Sequence, residues 1–485
     1  MDQKPLDLEA AKSPAESIND PNLVTWDGPQ DPENPKNWPN KIKWRYTVAV
    51  SLFTFISPVS SAMIAPALSK LGEDLNMNSN LEIELALSIF ILAYAVGPLF
   101  FGPASELYGR VRLLQLSNIW YLAWNLGCGF AQNPAELFVF RFLAGIGGSA
   151  PLALGGGAIS DTWSADERGK AMGIYTLAPL LGPVVGPIAG GFIAEYSTWR
   201  WVFWSSSAAA VFIQAVGLLW LRESHPGTLL RRKRDCLVKT TGNHKLHTGN
   251  AEPETLISKL GGAVERPIRM FTTQPIITVI AIYMAYLFGT LYLMLATFPS
   301  IWTEWYGESV SIGGLNYLSI AIGSFTGLIL NFFFIDRIYR NLKTKNNGNG
   351  RPEFRMPAMF IGSIMVSVGL FWYGWSVQAR LHWIMPNIGV AICSAGTLGC
   401  LQGMQTYTVD SYPTYAASAM AACALLRSLA GFGFPLFAPY LYRDLGYGWG
   451  TSILAFISIG VGIPAPFIFW GFGEKLRARS RYAAN

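Results

Sequence analysis

Charge is scarce in this chain of 485 residues. Asp, Glu, Lys and Arg make up only 14% of it, against about 25% in a typical soluble domain. Hydrophobic residues make up 51% and aromatics 14%, with 17 Trp. That balance excludes a disordered chain, a nucleic-acid-binding arm and most soluble enzymes. Reactive groups are scarce too. Five cysteines, Cys128, Cys236, Cys393, Cys400 and Cys423, show no CxxC or Cys/His metal spacing, so they read as small buried hydrophobes. All four histidines fall outside the apolar runs. No GxxxxGK[ST] stretch is present, which disfavours ATP-driven work. No Ser/His/Asp order stands out, so no enzyme activity, metal or cofactor is expected. The opening MDQKPLDLEAAKSPAESIND holds no apolar core. No cleaved signal is therefore expected, and the first apolar helix should act as its own insertion signal.

What is abundant is long apolar runs. A membrane-spanning helix needs about 20 mostly apolar residues. Twelve segments qualify: 46–69, 85–104, 113–132, 136–160, 171–194, 200–221, 275–299, 311–335, 356–377, 383–408, 415–441 and 450–472. The expected fold is therefore all-α and membrane-integral. It has a tail over 1–45, six helices over 46–221, a basic linker over 222–274, six more over 275–472 and a tail over 473–485. Lys and Arg set the orientation. With both termini in the cytoplasm, thirty of them lie inside. Only Lys70, Arg200, Arg380 and Arg443 lie outside, and Arg141 and Arg427 lie within spans.

The two halves echo each other. GPLFFGPASELYGR ends the second span and TGLILNFFFIDRIYR the eighth, which aligns Gly97 with Gly327 and Glu106 with Asp336. ISDTW and TVDSY follow the fourth and tenth spans. Asp161 precedes Gly182 by 21 residues, and Asp410 precedes Gly431 by the same 21. Similar halves suit a carrier that rocks two bundles about a central site.

Four motifs carry the chemistry. In GPASELYGRVR, Gly102 and Gly109 permit a tight turn, and Glu106 and Arg110 are four apart, within pairing reach if the turn stays helical. Asp161 should sit at the same membrane level and join them. Arg141 lies inside a span, where a charge marks function by default. In LLGPVVGPIAGGFI, Gly182, Gly186 and Gly190 share one helix face and admit a close neighbour. Pro183 and Pro187 are helix breakers that a bundle tolerates where neighbours satisfy the freed carbonyls, and Gly191 follows Gly190. Arg427 lies near the middle of the eleventh span with no acid at its depth. Backbone carbonyls, Asn or Gln, or an anionic substrate group could meet it.

These stretches resemble the major facilitator superfamily, in particular its fungal twelve-span drug:proton antiporter group, over roughly residues 40–475. Gly102, Glu106, Gly109, Arg110 and Arg112 match its gating loop, although Glu106 stands where Asp is usual and Leu107 where a basic residue is usual. Arg141, followed by Gly145, Gly147 and Gly148, is similar to the arginine linked to proton coupling. The 180–193 stretch resembles the antiporter motif. NPKNWP, WRWVFW, FPLF and DSYPTYAASA add to the likeness.

The resemblance implies two pseudo-symmetric six-helix bundles and a plasma-membrane exporter that works as a monomer, with its substrate class carried over by family analogy. It would exchange an inward proton for an outward drug, toxin or secondary metabolite. Its partners would be that small molecule and the bilayer, with no nucleic acid. In such a fold helices 1, 4, 7 and 10 line the pocket, which nominates Ser57, Ser61, Tyr283, Tyr286, Gln402 and Gln405. Glu84, Glu106, Asp161 and Asp410 remain as proton carriers. An uptake carrier for a polyamine, sugar or other nutrient, and a non-transporting receptor, are the alternatives.

Overall fold

Polar caps and prolines start the helices. Ser79 accepts the Glu82 N–H at 3.3 Å and opens the helix Asn80–Tyr108. Asn133 accepts the Glu136 N–H at 2.9 Å and opens the helix Pro134–Thr162, where Pro134 takes the first helical position. Each cap satisfies a donor that the helix leaves free. The computed structural model describes residues 20–164, 167–249, 256–347, 351–412, 415–478 and 480. Residues 1–19, residues 479 and 481–485 of the C-terminal tail, the side chain of Asp336 and part of DSYPTYAASA lie outside that description.

The first half comprises α1 (Asn40–Met63), α2 (Asn80–Tyr108), α3 (Arg110–Cys128), α4 (Pro134–Thr162), α5 (Arg168–Tyr196) and α6 (Arg200–Trp220). The linker holds α7 (Pro226–Thr241) and α8 (Leu256–Thr273). The second half comprises α9 (Pro275–Ser300), α10 (Leu318–Lys345), α11 (Met356–Gln378), α12 (Ile384–Ser411), α13 (Ala416–Ile457) and α14 (Pro464–Ala478).

Among the described residues, ten helical runs are long and apolar enough to cross a membrane. The twelve expected segments differ from these in two places. Helix α3 is less apolar because it carries Gln115, Asn118 and Asn125. All three bind α6: Gln115 Nε2 donates to the Gly217 carbonyl at 3.3 Å, Asn118 Nδ2 to Gln214 Oε1 at 2.8 Å and Asn125 Nδ2 to the Phe203 carbonyl at 3.0 Å. Such amides hold helices together in hydrocarbon. The last two expected spans form one run, Ala416–Ala478, broken by Gly446 at φ 69°.

The packing repeats as the sequence does. In the first half α1 packs on α5 and α2 on α4; in the second α9 packs on α13 and α10 on α12. Gly97 meets Ile146 and Ser149 of α4, and Gly327 meets Ala395 of α12. The bundle exteriors expose large apolar side chains, among them Phe130, Phe212, Leu219, Ile322 and Phe333. So much apolar surface is what a hydrocarbon environment accepts and water does not.

A short parallel pairing of Leu23–Val24 with His247–Thr248 joins the first tail to the linker. Asp31 strengthens that junction. It accepts the N–H groups of Asp27 at 2.9 Å and Glu33 at 2.8 Å. Lys233 Nζ stands 3.5 Å from it and 2.7 Å from Asp27.

Candidate functional site

Three layers of contacts run from the end of the bundle that carries most Lys and Arg to the opposite end. At the basic end, Gly109 turns the chain between α2 and α3 with φ 96°. Only glycine takes that backbone without strain, and a Cβ there would strike the Glu223 carboxylate. Arg110 follows. Its Nε donates to Asp161 Oδ2 at 3.2 Å, its NH1 to Ser105 Oγ at 2.7 Å and its backbone N–H to Glu223 Oε1 at 2.9 Å.

The expected pairing of Glu106 with Arg110 does not form. Gly109 ends one helix and begins another, so the four-residue spacing no longer shares a helix face. Glu106 is exposed, and its carbonyl accepts from Arg231 NH2 of α7, as does that of Leu107 at 3.0 Å. Glu223 is the acid that sequence reasoning missed; its position just after an apolar run was the only signal. Gly102 faces open space, and Arg112 is exposed.

The second half repeats the arrangement. Arg355 Nε donates to Asp410 Oδ2 at 3.2 Å, and Arg351 NH1 reaches Glu474 Oε2 at 2.8 Å. Arg477 adds a two-pronged pair with Glu353, at 2.9 Å for each prong.

Beside Glu223, the His225 ring accepts the Thr228 N–H at 3.2 Å and caps α7. Burial, aided by the Arg110 charge, lowers its pKa to about 4. The ring is therefore neutral and free to accept near neutral pH.

Between the two ends, on the side of α4 nearer Pro134 than Asp161, Arg141 is fully buried. Its NH2 donates to the carbonyls of Ser61 at 3.3 Å and Leu87 at 3.4 Å. Its charge lies 5.1 Å from the Phe90 ring centre and 5.7 Å from that of Phe203. Its Nε and NH1 have no partner among the described residues. Gly145, Gly147 and Gly148 let α4 approach α2, α3 and α1 at this level.

Ser57 bonds Tyr94 OH at 2.6 Å. Ser61 donates to the Pro58 carbonyl at 2.8 Å and stands 3.4 Å from Tyr292 OH, across the junction between the halves. Arg427 lies 4.9 Å from the Phe288 ring centre, and its Nε is buried without a partner.

Tyr283 and Tyr286 are not at this junction, contrary to expectation. Tyr283 donates to Ser363 Oγ at 3.1 Å and Tyr286 to the Leu454 carbonyl, so both face the interior of the second half. Phe288 and Tyr292 occupy the junction-facing side of α9 instead. Gln402 and Gln405 are half-buried.

At the opposite end the halves touch. Ser311 N–H donates to Glu195 Oε2 at 2.7 Å. Pro66 of the first half lines a crevice with Pro299, Val310 and Gly314 of the second. Helix α5 supplies both this contact and a seam with α1. A Cβ on Gly186 would stand 2.5 Å from the Val59 carbonyl oxygen; Gly182 abuts Pro58 and Gly190 abuts Met63 just as closely. A Cβ on Gly191 would stand 2.9 Å from the Val310 carbonyl oxygen, in the other half. Pro183 and Pro187 stay inside the helix.

Residues 50–435 match the family described as Major Facilitator Superfamily. The chain belongs to the Major Facilitator Superfamily. It is 68% identical over 485 residues to "Efflux pump vrtL" of Penicillium aethiopicum, covering 100% of this chain and 96% of that one. It is 40% identical to "Efflux pump radE" of Floropilus chiversii, covering 98% of this chain and 88% of that one. Among solved structures, the xylose transporter XylE from E. coli, partially occluded and inward open, superposes with a TM-score of 0.65 at 16% identity. The match covers 89% of this chain and 98% of XylE. This superfamily member is thus a multi-pass membrane transporter and not an enzyme, with twelve transmembrane helices in two pseudo-symmetric six-helix bundles.

Proposed function

We propose that this transporter exports a small organic molecule, such as a drug, toxin or secondary metabolite, in exchange for an inward proton. The observation that carries the reading is the glycine seam of α5. Gly182, Gly186 and Gly190 lie against Pro58, Val59 and Met63 of α1, while Gly191 meets the second half. One helix therefore holds the first bundle together and closes one end of the junction. Tight glycine packing there resists a leak through the closed end, as an exchanger working against a gradient requires. Relatives named as efflux pumps support the outward direction.

The basic end is the cytoplasmic one in this reading, with both termini beside it. The carrier sits in the plasma membrane, works as a single copy and needs no cofactor beyond the proton gradient. The ion pairs of Arg110 with Asp161 and Arg355 with Asp410 hold the cytoplasmic end when the opposite end opens. Arg141 takes part in the coupling by orienting a protonatable group or water, since a guanidinium does not itself release a proton.

The test is flux in inside-out vesicles with an imposed pH gradient, screened over toxic compounds to which an overexpressing strain becomes resistant. Export predicts gradient-dependent loading of the vesicles and lowered accumulation in cells. Raised accumulation in cells would point to uptake, and no flux to a receptor; either result overturns the proposal.

A further inference from the structure

Each half contributes an arginine near the junction: Arg141 is fully buried and Arg427 partly buried. Both carry buried N–H groups that have no partner among the described residues. Arg141 lacks partners at Nε and NH1, and Arg427 at Nε. Among the described residues, neither guanidinium pairs with an acid. Each lies over a phenylalanine instead, Phe90 at 5.1 Å and Phe288 at 4.9 Å. Each phenylalanine has a tyrosine one helical turn on: Tyr94, with ring centres 5.6 Å apart, and Tyr292, at 4.9 Å. The two phenols reach Ser57 and Ser61, one turn apart on α1. Arg141 donates to the carbonyl of Ser61, whose hydroxyl stands 3.4 Å from Tyr292 OH, and Arg427 lies over Phe288, the ring beside Tyr292. A chain of contacts through Tyr292 thus links the two arginines across the halves.

Two unpaired cations in a buried site repel a third. Their free N–H groups also gain nothing from a neutral hydrocarbon. An anion answers both deficits, since charged acceptors make the strongest bonds to guanidinium. The flanking rings offer flat apolar faces that suit an aromatic body. We propose that this centre binds the anionic head, a carboxylate or acidic phenol, of an amphipathic aromatic molecule, held between Arg141 and Arg427. The substrate class is thereby an organic acid, and this inference rests on the export reading for its direction only. Binding the head to both arginines would also draw the two halves together around the cargo.

The test uses the full-length protein in nanodiscs of neutral lipid near neutral pH. Radiolabelled naphthoate, its methyl ester and naphthylmethylammonium serve as probes. The carboxylate should bind about tenfold or more tightly than the ester, and the ammonium should not bind measurably. Arg427→Gln should collapse the carboxylate-to-ester ratio towards one, while Arg427→Lys, which keeps a charge, should retain part of it.

Equal binding of carboxylate and ester by the unaltered protein would overturn the proposal. So would a ratio unchanged in both Arg427→Gln and Arg141→Gln. Should Arg141→Gln not fold, the two Arg427 variants still decide. Vesicle flux separates the two readings. Carboxylate preference with inward accumulation in cells upholds this site and overturns export. Export of the ester with no carboxylate preference upholds export and overturns this site.

Discussion

Arg110 donates from Nε to Asp161 Oδ2 at 3.2 Å, and the second half repeats the relationship in Arg355 and Asp410. The first pair is mostly shielded, with side chains 15% and 17% exposed. Removing one partner leaves a charge with little water to solvate it. Asp161→Asn should lower transport about tenfold, given the partial solvent screening. Asp410→Asn should cost less, since the Asp410 side chain is 36% exposed. Flux per correctly inserted molecule checks both, and the exchange Arg110→Asp with Asp161→Arg should recover part of the loss.

Gly186→Leu should abolish transport while leaving membrane insertion intact. The new side chain begins 2.5 Å from the Val59 carbonyl oxygen. Backbone, not a movable side chain, stands in its way, so α1 and α5 must separate. Overpacking of this kind costs about 1–3 kcal/mol. Hydropathy rises, so insertion should not suffer. Surface labelling paired with a flux assay measures both halves of the expectation.

The spans were legible because hydrocarbon imposes a simple rule on sequence. The expected segments 85–104 and 136–160 fall inside α2 and α4, which extend them by two to five residues at each end. Segment 113–132 was legible too, although buried Asn118 and Asn125 dilute its hydropathy. Side-chain direction was less legible. Of the two serines expected at the junction, Ser61 meets Tyr292 across it, while Ser57 bonds Tyr94 within the first half. Tyr283 and Tyr286 share a helix with Tyr292 but face the interior of the second half; α9 is apolar nearly all round, so its pattern marks no face. The repeated Phe-x-x-x-Tyr of Phe90–Tyr94 and Phe288–Tyr292 was a usable signal. Glu106 failed as a partner for Arg110 because helical spacing was assumed across Gly109, where the backbone turns left-handed.

His225 supplies a pH prediction. Its folded pKa of about 4 lies below the unfolded value of about 6.5. The unfolded chain therefore binds the extra proton between those values, and stability contributed by this group rises with pH across that window. It is complete above about pH 6.5 and is lost as pH falls towards about 4. His225→Asn keeps a capping acceptor without the titration. Thermal melts of the purified protein between these limits should show a shallower pH dependence in the variant. Equal slopes would mean that burial does not hold the ring neutral.

Arg141 gives the sharpest division between charge and geometry. Its NH2 holds the carbonyls of Ser61 and Leu87 on two different helices, while Nε and NH1 remain free to orient another group. Lysine would preserve the charge but not the planar fork. If Arg141 acted only as a positive field, Arg141→Lys would export nearly as well as the unaltered protein. If the fork must hold two carbonyls and orient a third group at once, lysine should fail nearly as badly as alanine, with export down about a hundredfold, the loss expected from about two charge-assisted bonds. Gradient-driven flux in vesicles, for the unaltered protein, Arg141→Lys and Arg141→Ala, distinguishes these outcomes. Flux retained in the alanine variant would remove Arg141 from the mechanism while leaving proton exchange standing. Flux indifferent to the gradient in all three would remove proton exchange itself.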